Sequence, residues 1–280
     1  MTSFILPCGT SVLDHLGHAV ARFADQARAF RINEAPPTAW VGDLGAAGVP
    51  LGAPDPLSVS AESASLHRHR PRLAQDDHVV LLASDTPDGV AAAILNARLF
   101  GGATNFWTGP PTDGVEPAEL GRGGGVASVD IIRIAGLAPI RTDTFAGAME
   151  VVARAFRWVL KREGGEVVLL LTGGYKATVP YLTVLAEYAK ALAPVRAFCL
   201  HEGDSVNFPP PIEIFLRTVD LEADRREVRL ALGEWAPRPE DPEPTARLLG
   251  FAYTRAPLDG RAVLTPLGRA IKAFLDALDN

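Results

Sequence analysis

Apolar residues in this chain fall into short unbroken runs, separated by longer segments in which they recur every three or four positions. The runs are residues 4–6, 78–83 (His-Val-Val-Leu-Leu-Ala), 129–134, 166–171 and 195–201. Continuous apolar runs of this length, bounded by turn residues, predict strands buried on both faces. Between them, 12–30 places Leu13, Leu16, Val20 and Phe23 near helical spacing. Further helices are predicted at 61–69, 90–100, 144–162 (capped by Thr142 or Asp143) and 179–192. Strands alternating with helices imply right-handed βαβ units, hence an α/β fold with a mostly parallel sheet flanked by helices. Residues 33–60 are rich in Pro, Gly and Ala and show no assignable period. Residues 101–126, dense in Gly and Pro, are expected to form a mobile loop.

The pattern changes after residue 215. Residues 221–232 are charged and alternating, which predicts a hairpin or extended segment. A Pro/Glu/Asp linker follows at 236–244. Then come a short helix at 246–251, a turn at Asp259-Gly260 and a final helix at 270–278. The chain therefore divides into an α/β domain, 1–215, and a small C-terminal α+β element, 216–280, with a winged-helix-like order of parts.

Composition narrows the function classes. Of 280 residues 48% are apolar, enough for a substantial core. The formal net charge of -6 argues against sequence-independent binding of long nucleic acid, which needs many phosphate contacts. It leaves room for a small nucleotide in a locally positive pocket. Two cysteines, Cys8 and Cys199, supply neither a disulfide framework nor a zinc spacing. The N-terminus lacks a leader-like pattern, and no run approaches about 18 apolar residues, so a cytoplasmic protein without membrane contact is expected.

The candidate chemistry sits at the strand ends. Leu171-Thr172-Gly173-Gly174-Tyr175-Lys176-Ala177-Thr178 has the layout of a buried strand, a glycine turn and a helix start. Adjacent glycines let backbone N–H groups approach a ligand, a helix N-terminus favours anions, and Lys176 adds a full positive charge. A phosphate-bearing ligand is the expectation. Two more polar turns follow strands: Gly9-Thr10-Ser11 and Ser84-Asp85-Thr86. In a parallel sheet ligands bind beyond the carboxyl ends of strands at a topological switch point, so three such turns can line one crevice. Blander readings stand beside these. Gly173-Gly174 could be only a tight connection, Ser11 only a helix cap, Lys176 only a solvated first-turn lysine. Asp85, awkward beside phosphates, could cap the next helix or meet a ribose hydroxyl or an adenine amine. Tyr175 could stack on a base or pack.

Taken in order, these pieces resemble the CRISPR-associated Rossmann-fold (CARF) domains. The resemblance runs through Pro7-Cys8-Gly9-Thr10-Ser11, Ser60-Ala61-Glu62, and Leu82-Ala83-Ser84-Asp85-Thr86 with Gly89. It continues through Leu171 to Leu182, then His201-Glu202-Gly203 and Phe208-Pro209-Pro210-Pro211-Ile212. It implies a Rossmann-like sheet and a homodimer that binds a cyclic oligoadenylate made by type III CRISPR complexes. The tetramer is the usual ligand and the hexamer a larger variant. A C2 dimer presents each side chain twice, which suits a ring with rotational symmetry. Ring nucleases of this group cleave the ligand without a metal or other cofactor, by attack of a ribose 2′-OH on the neighbouring phosphate. On that reading Ser11 and Lys176 are catalytic. Gly9, Thr10, Ser84, Asp85, Thr86, Thr172, Gly173, Gly174 and Tyr175 contact the ligand. Other relatives only sense the ring and act on DNA or a partner protein. Glu202 is either a structural partner or a ligand contact.

Two further clusters read as structural. His67-Arg68-His69-Arg70 resembles a metal or nucleic-acid patch but fits a solvated helix end. Arg72 and His78 match the Arg-x5-His spacing of HEPN ribonucleases, yet lie beside a core strand rather than in a helical domain. Arg247, Arg255, Arg261, Arg269 and Lys272 give the C-terminal element a modest basic bias against Asp259, Asp276 and Asp279, short of a DNA-reading surface.

Overall fold

The computed structural model describes residues 1–15, 59–111, 116–121, 128–138, 143–162, 165–200, 210–235 and 247–278. Most of the expected helix 12–30, the segment 33–58, the linker 236–244, Thr142, His201, Glu202, Gly203 and Phe208 lie outside the described residues. The elements in chain order are β1 (Thr2–Cys8), α1 (Ser11–His15), α2 (Ala61–His69), β2 (His78–Ala83), α3 (Pro87–Phe100), β3 (Thr104–Trp107), β4 (Ala118–Gly121), β5 (Ser128–Arg133) and α4 (Phe145–Lys161). They continue with β6 (Glu166–Leu170), a single 3-10 turn (Lys176–Thr178), α5 (Val179–Lys190), β7 (Val195–Cys199), β8 (Ile212–Ile214), α6 (Leu221–Ala231), β9 (Tyr253–Arg255), β10 (Ala262–Leu264) and α7 (Pro266–Asp276).

Eight strands form one sheet in the order β4-β3-β5-β2-β1-β6-β7-β8. The six inner strands are parallel, and the short edge strands β4 and β8 run antiparallel to their neighbours. β1 pairs with β2 on one side and with β6 on the other, so the winding reverses there. That reversal makes the carboxyl ends of β1 and β6 the switch point of a Rossmann-like α/β fold.

Strand residues alternate between two apolar layers, as the two-residue repeat of a strand requires. Phe4, Leu6, Val79, Leu81, Val129, Ile131, Val168 and Leu170 pack with α2 and α3. Ile5, Val80, Leu82, Ile132, Val167 and Leu169 pack with α4 and α5 on the opposite face. With both faces covered, the central strands read as unbroken apolar runs. α7 lies along α4, and Ile271, Phe274 and Tyr253 join the core of that face.

Several expectations are corrected. Residues 101–126 contain the strand pair β3 and β4 rather than a loop alone. Residues 221–231 form helix α6, capped by Asp220, whose carboxylate accepts from Ala223 N at 3.1 Å. The stretch 247–251 is a turn instead of a helix, while the β9–β10 hairpin and α7 take the expected order. α4 begins at Phe145 with Thr144, rather than Thr142 or Asp143, in the cap position, and the Thr144 hydroxyl donates to Gly136 O (2.6 Å) instead of capping the helix.

Candidate functional site

The β1 and β6 exit turns meet at the switch point. A Cβ added to Gly9 would lie 3.1 Å from Gly174 N, and one added to Gly174 would lie 2.6 Å from Pro7 Cβ. Gly174 also has φ +81, a conformation that costs a side-chain-bearing residue free energy. Only glycine fits this crossing, so the turns carrying Ser11 and Lys176 lie side by side. Lys176 opens the 3-10 turn ahead of α5, where a direct helix start was expected. The turn is closed by Thr178, whose N and Oγ1 both donate to Tyr175 O, at 2.9 and 2.7 Å. Lys176 is exposed, and its Nζ donates to Thr172 O at 2.7 Å, which holds the amine over the glycine turn.

A residue absent from the expected ligand contacts occupies the floor of this crossing. Glu62, in the first turn of α2, is 1% exposed. Its Oε1 accepts from Gly9 N at 2.7 Å. A Cβ at Gly173 would run into the same oxygen. The carboxylate therefore lies across both glycine turns, and the N–H of Gly9, an expected ligand contact, is already taken. Oε2 of Glu62 is buried and has no hydrogen-bond partner among the described residues. Cys8 beside it is held well above the usual thiol range, first by burial and then by the Glu62 charge. Sequence reasoning passed over Glu62 as a site residue because an acidic residue in a helix's first turn is ordinarily a solvated complement to the helix dipole. The available signal was its place two residues after the N-cap Ser60 in a chain with Gly-Gly at a strand end.

α2 is aimed at the same place. Its N-cap Ser60 accepts from Ser63 N (2.9 Å) and donates to Asn96 Oδ1 (2.6 Å), and Asn96 Nδ2 reaches Cys8 Sγ at 3.4 Å. Ala61 N, at the helix start, donates to Ser11 Oγ at 3.4 Å. With a lone pair of Ser11 engaged from behind, its hydroxyl proton can be turned to an incoming acceptor. Thr10 is exposed beside it.

The remaining expected residues separate into two groups. Tyr175 and Ser84 line a narrow cleft with Pro7, Cys8, Leu82 and Thr178, at the carboxyl ends of β1, β2 and β6. Tyr175 also meets Phe145 edge-on at 6.3 Å. The others are committed to the chain. Asp85 Oδ1 pairs with Arg133, with Nη2 at 2.5 Å and Nε at 2.6 Å, and Oδ2 accepts from Gly136 N at 2.7 Å. It latches the β5 exit loop, while the capping role falls to Thr86, whose Oγ1 accepts from Gly89 N at 3.0 Å. Thr172 is buried, its Oγ1 accepting from Leu200 N (2.8 Å) and meeting Ser65 Oγ (3.2 Å), so it ties β6 to β7 and α2.

The clusters set aside from the site are structural here. His69 packs between Phe4 and Phe198, with centroids at 5.9 and 4.5 Å, and Arg70 pairs with Asp77 at 2.7 Å. This helix end is more packed than expected. His78 is buried in contact with Asp130 at 2.5 Å. No group of three or more His, Cys, Asp or Glu among the described residues is placed to hold a metal ion. No helix among them is long and apolar enough to cross a membrane.

Residues 57–211 match the family model described as CRISPR-associated protein (Cas_APE2256), more than half of the chain. No curated protein matches. The matched span begins just before α2, includes Glu62 and the whole Thr172–Lys176 turn, and ends just before β8. The chain belongs to this family of CRISPR-associated proteins.

Proposed function

We propose that the protein binds cyclic tetra-adenylate across a homodimer axis and cleaves it without a metal, switching off type III CRISPR signalling. The observation that supports this reading is the close approach of the β1 and β6 exit turns, which carry Ser11 and exposed Lys176, at the switch point of the sheet in a CRISPR-associated family member. In the reaction a ribose 2′ oxygen attacks the adjacent phosphorus in line. The O2′–P bond forms, the P–O5′ bond breaks, the 2′ proton is lost and the departing 5′ oxygen takes up a proton. The product carries a 2′,3′-cyclic phosphate. Lys176 offsets charge developing on the phosphoryl oxygens, and the Ser11 hydroxyl aligns the ribose and phosphate. Purified protein incubated with labelled ring and EDTA is expected to yield linear product ending in that cyclic phosphate. A ring left intact after long incubation overturns the reading.

The other reading is a sensor that passes ligand binding to DNA through the C-terminal element. The structure favours it less. Arg247 pairs with Asp224 (2.6 Å), Arg229 with Asp276 (3.0 Å) and Lys272 with Asp276 (2.6 Å), so much of the local positive charge is met within the chain. A ligand-dependent shift of DNA without ring turnover would support the sensor.

A further inference from the structure

Strand β6 leaves the sheet at Thr172, and its side chain stays moored where its backbone departs. Leu171 N still makes a rung with β7, donating to Phe198 O at 2.8 Å. Beyond that rung Leu200 N donates to the Thr172 hydroxyl at 2.8 Å, where a continuing ladder would offer a backbone carbonyl. The same Oγ1 meets Ser65 Oγ of α2 at 3.2 Å. Thr172 and Ser65 are both buried. A buried N–H needs an acceptor, so the bond from Leu200 holds the hydroxyl in place. With its side chain tied to β7 and α2, Thr172 presents its carbonyl in one direction. Lys176 Nζ donates to that carbonyl at 2.7 Å. A lysine ammonium rides on a flexible four-carbon stem, and here its tip is tethered to an anchored oxygen.

We propose that Thr172 is a positioning residue for Lys176: its hydroxyl, held by Leu200 N–H and Ser65, fixes the carbonyl that sets the ammonium over the glycine turn. The assignment rests on the ring-cleaving reading above and changes how Thr172 takes part in it. Thr172 acts through Lys176 and not as a ligand contact, since its hydroxyl is already engaged inside the chain. Any residue at 172 supplies a carbonyl. A small hydroxyl side chain also supplies the acceptor that Leu200 N needs, and that is what orients the turn. A positive charge placed before the ligand arrives costs no reorganisation when the phosphoryl oxygens gain charge.

The test is a double-mutant cycle on the cleavage rate of labelled cyclic tetra-adenylate, measured in a single turnover at saturating protein. Thr172→Val keeps the side-chain volume and removes the hydroxyl, while Thr172→Ser keeps the hydroxyl. A thermal melt reports whether each variant folds. Misplacing a catalytic group by about 1 Å can cost about 10²-fold, so loosening the tether in Thr172→Val is expected to cost about tenfold, with Thr172→Ser returning the rate toward the wild type. In a Lys176→Ala background the same Thr172→Val change is expected to cost less than about twofold, because the group it positions is gone. Should Thr172→Val fail to fold, Ser65→Ala leaves Leu200 N its acceptor and enters the same cycle, where its loss of rate is likewise expected to vanish without Lys176. A hydroxyl that serves only the fold would lower the rate by the same factor with or without Lys176, and that result overturns the proposal. A wild-type rate in folded Thr172→Val overturns it too, and both results leave the ring-cleaving reading standing. A wild-type protein that leaves the ring intact removes that reading and the proposal with it.

Discussion

Two buried carboxylates, Asp130 and Glu62, occupy opposite ends of the same sheet and are finished in opposite ways. Asp130 on β5 accepts from four side chains: Asn105 Nδ2 (3.0 Å) and Trp107 Nε1 (2.8 Å) on Oδ1, His78 Nε2 (2.5 Å) and Arg162 Nη1 (3.2 Å) on Oδ2. Trp158 covers the cluster, edge-on to His78 at 5.7 Å and to Trp107 at 5.8 Å, with Arg162 4.9 Å above its ring. Every lone-pair direction of the carboxylate has a protein donor. Glu62 has one oxygen bonded to Gly9 N, and its other oxygen has no partner among the described residues. Saturation is what a purely structural charge requires, because a low-dielectric interior penalises any remainder. The comparison separates a carboxylate met on every side by its own chain from one that braces two glycine turns through a single oxygen.

Breaking the saturated end is expected to have the largest effect. Asp130→Ala leaves His78, Trp107 and Arg162 without their acceptor, and loss of one partner of a buried ionic cluster costs about 3–5 kcal/mol. Urea unfolding checks this as a lower midpoint at unchanged slope. An unchanged midpoint would mean the cluster contributes nothing net. The site end is expected to respond in the other currency. Lys176→Ala should lower ring turnover by about 10²–10³, the range seen when a charge-stabilising donor is removed. The unfolding midpoint should stay near the wild type, because Lys176 is exposed. Full turnover in this variant would take Lys176 out of the reaction.

A smaller effect sharpens the comparison through pH. Burial pushes the Asp130 carboxyl up, but the His78 hydrogen bond and charge, with Trp107 and Asn105, outweigh it and hold it below the usual carboxylate range. A depressed carboxyl stabilises the fold fully above the unfolded value, about 3.9, and this is lost as pH falls through the folded value. Stability should therefore decline below about pH 4 in the wild type. Asp130→Asn should be less stable at neutral pH yet show a shallower acid limb. Parallel acid limbs in the two proteins would assign the acid sensitivity to other groups.

What the sequence revealed follows from where burial is continuous. β2, β5 and β6 are covered on both faces and read directly as apolar runs. β3 is half-buried in alternation, and its four residues, Thr104-Asn105-Phe106-Trp107, are hidden among glycines and prolines. α6 was obscured by carboxylates that turn inward. Asp224 receives Tyr188 Oη (2.6 Å), and Glu227 receives Leu248 N (2.8 Å) and Tyr253 Oη (3.2 Å), so charged residues stand where an amphipathic helix usually shows apolar ones. The crossing of Gly9, Gly173 and Gly174 was legible as a pair of turns because glycine doublets mark close approach. The pairings of Asp85 and Glu62 were illegible for one shared reason. Their partners, Arg133 and Gly9, are 48 and 53 residues away, and no local pattern reports such pairings.

The sheet's two margins decide how copies of this protein can meet. β8 has three residues and β4 four, both reversed against the parallel strands inside them, and Arg196 bridges Glu213 on the outer strand at 2.9 Å. Short, charged, reversed borders are poor templates for adding another molecule's strand. Crowded solutions should therefore not drive fibre-like stacking through the sheet. Association is left to side-chain surfaces, which can saturate at a fixed number of partners.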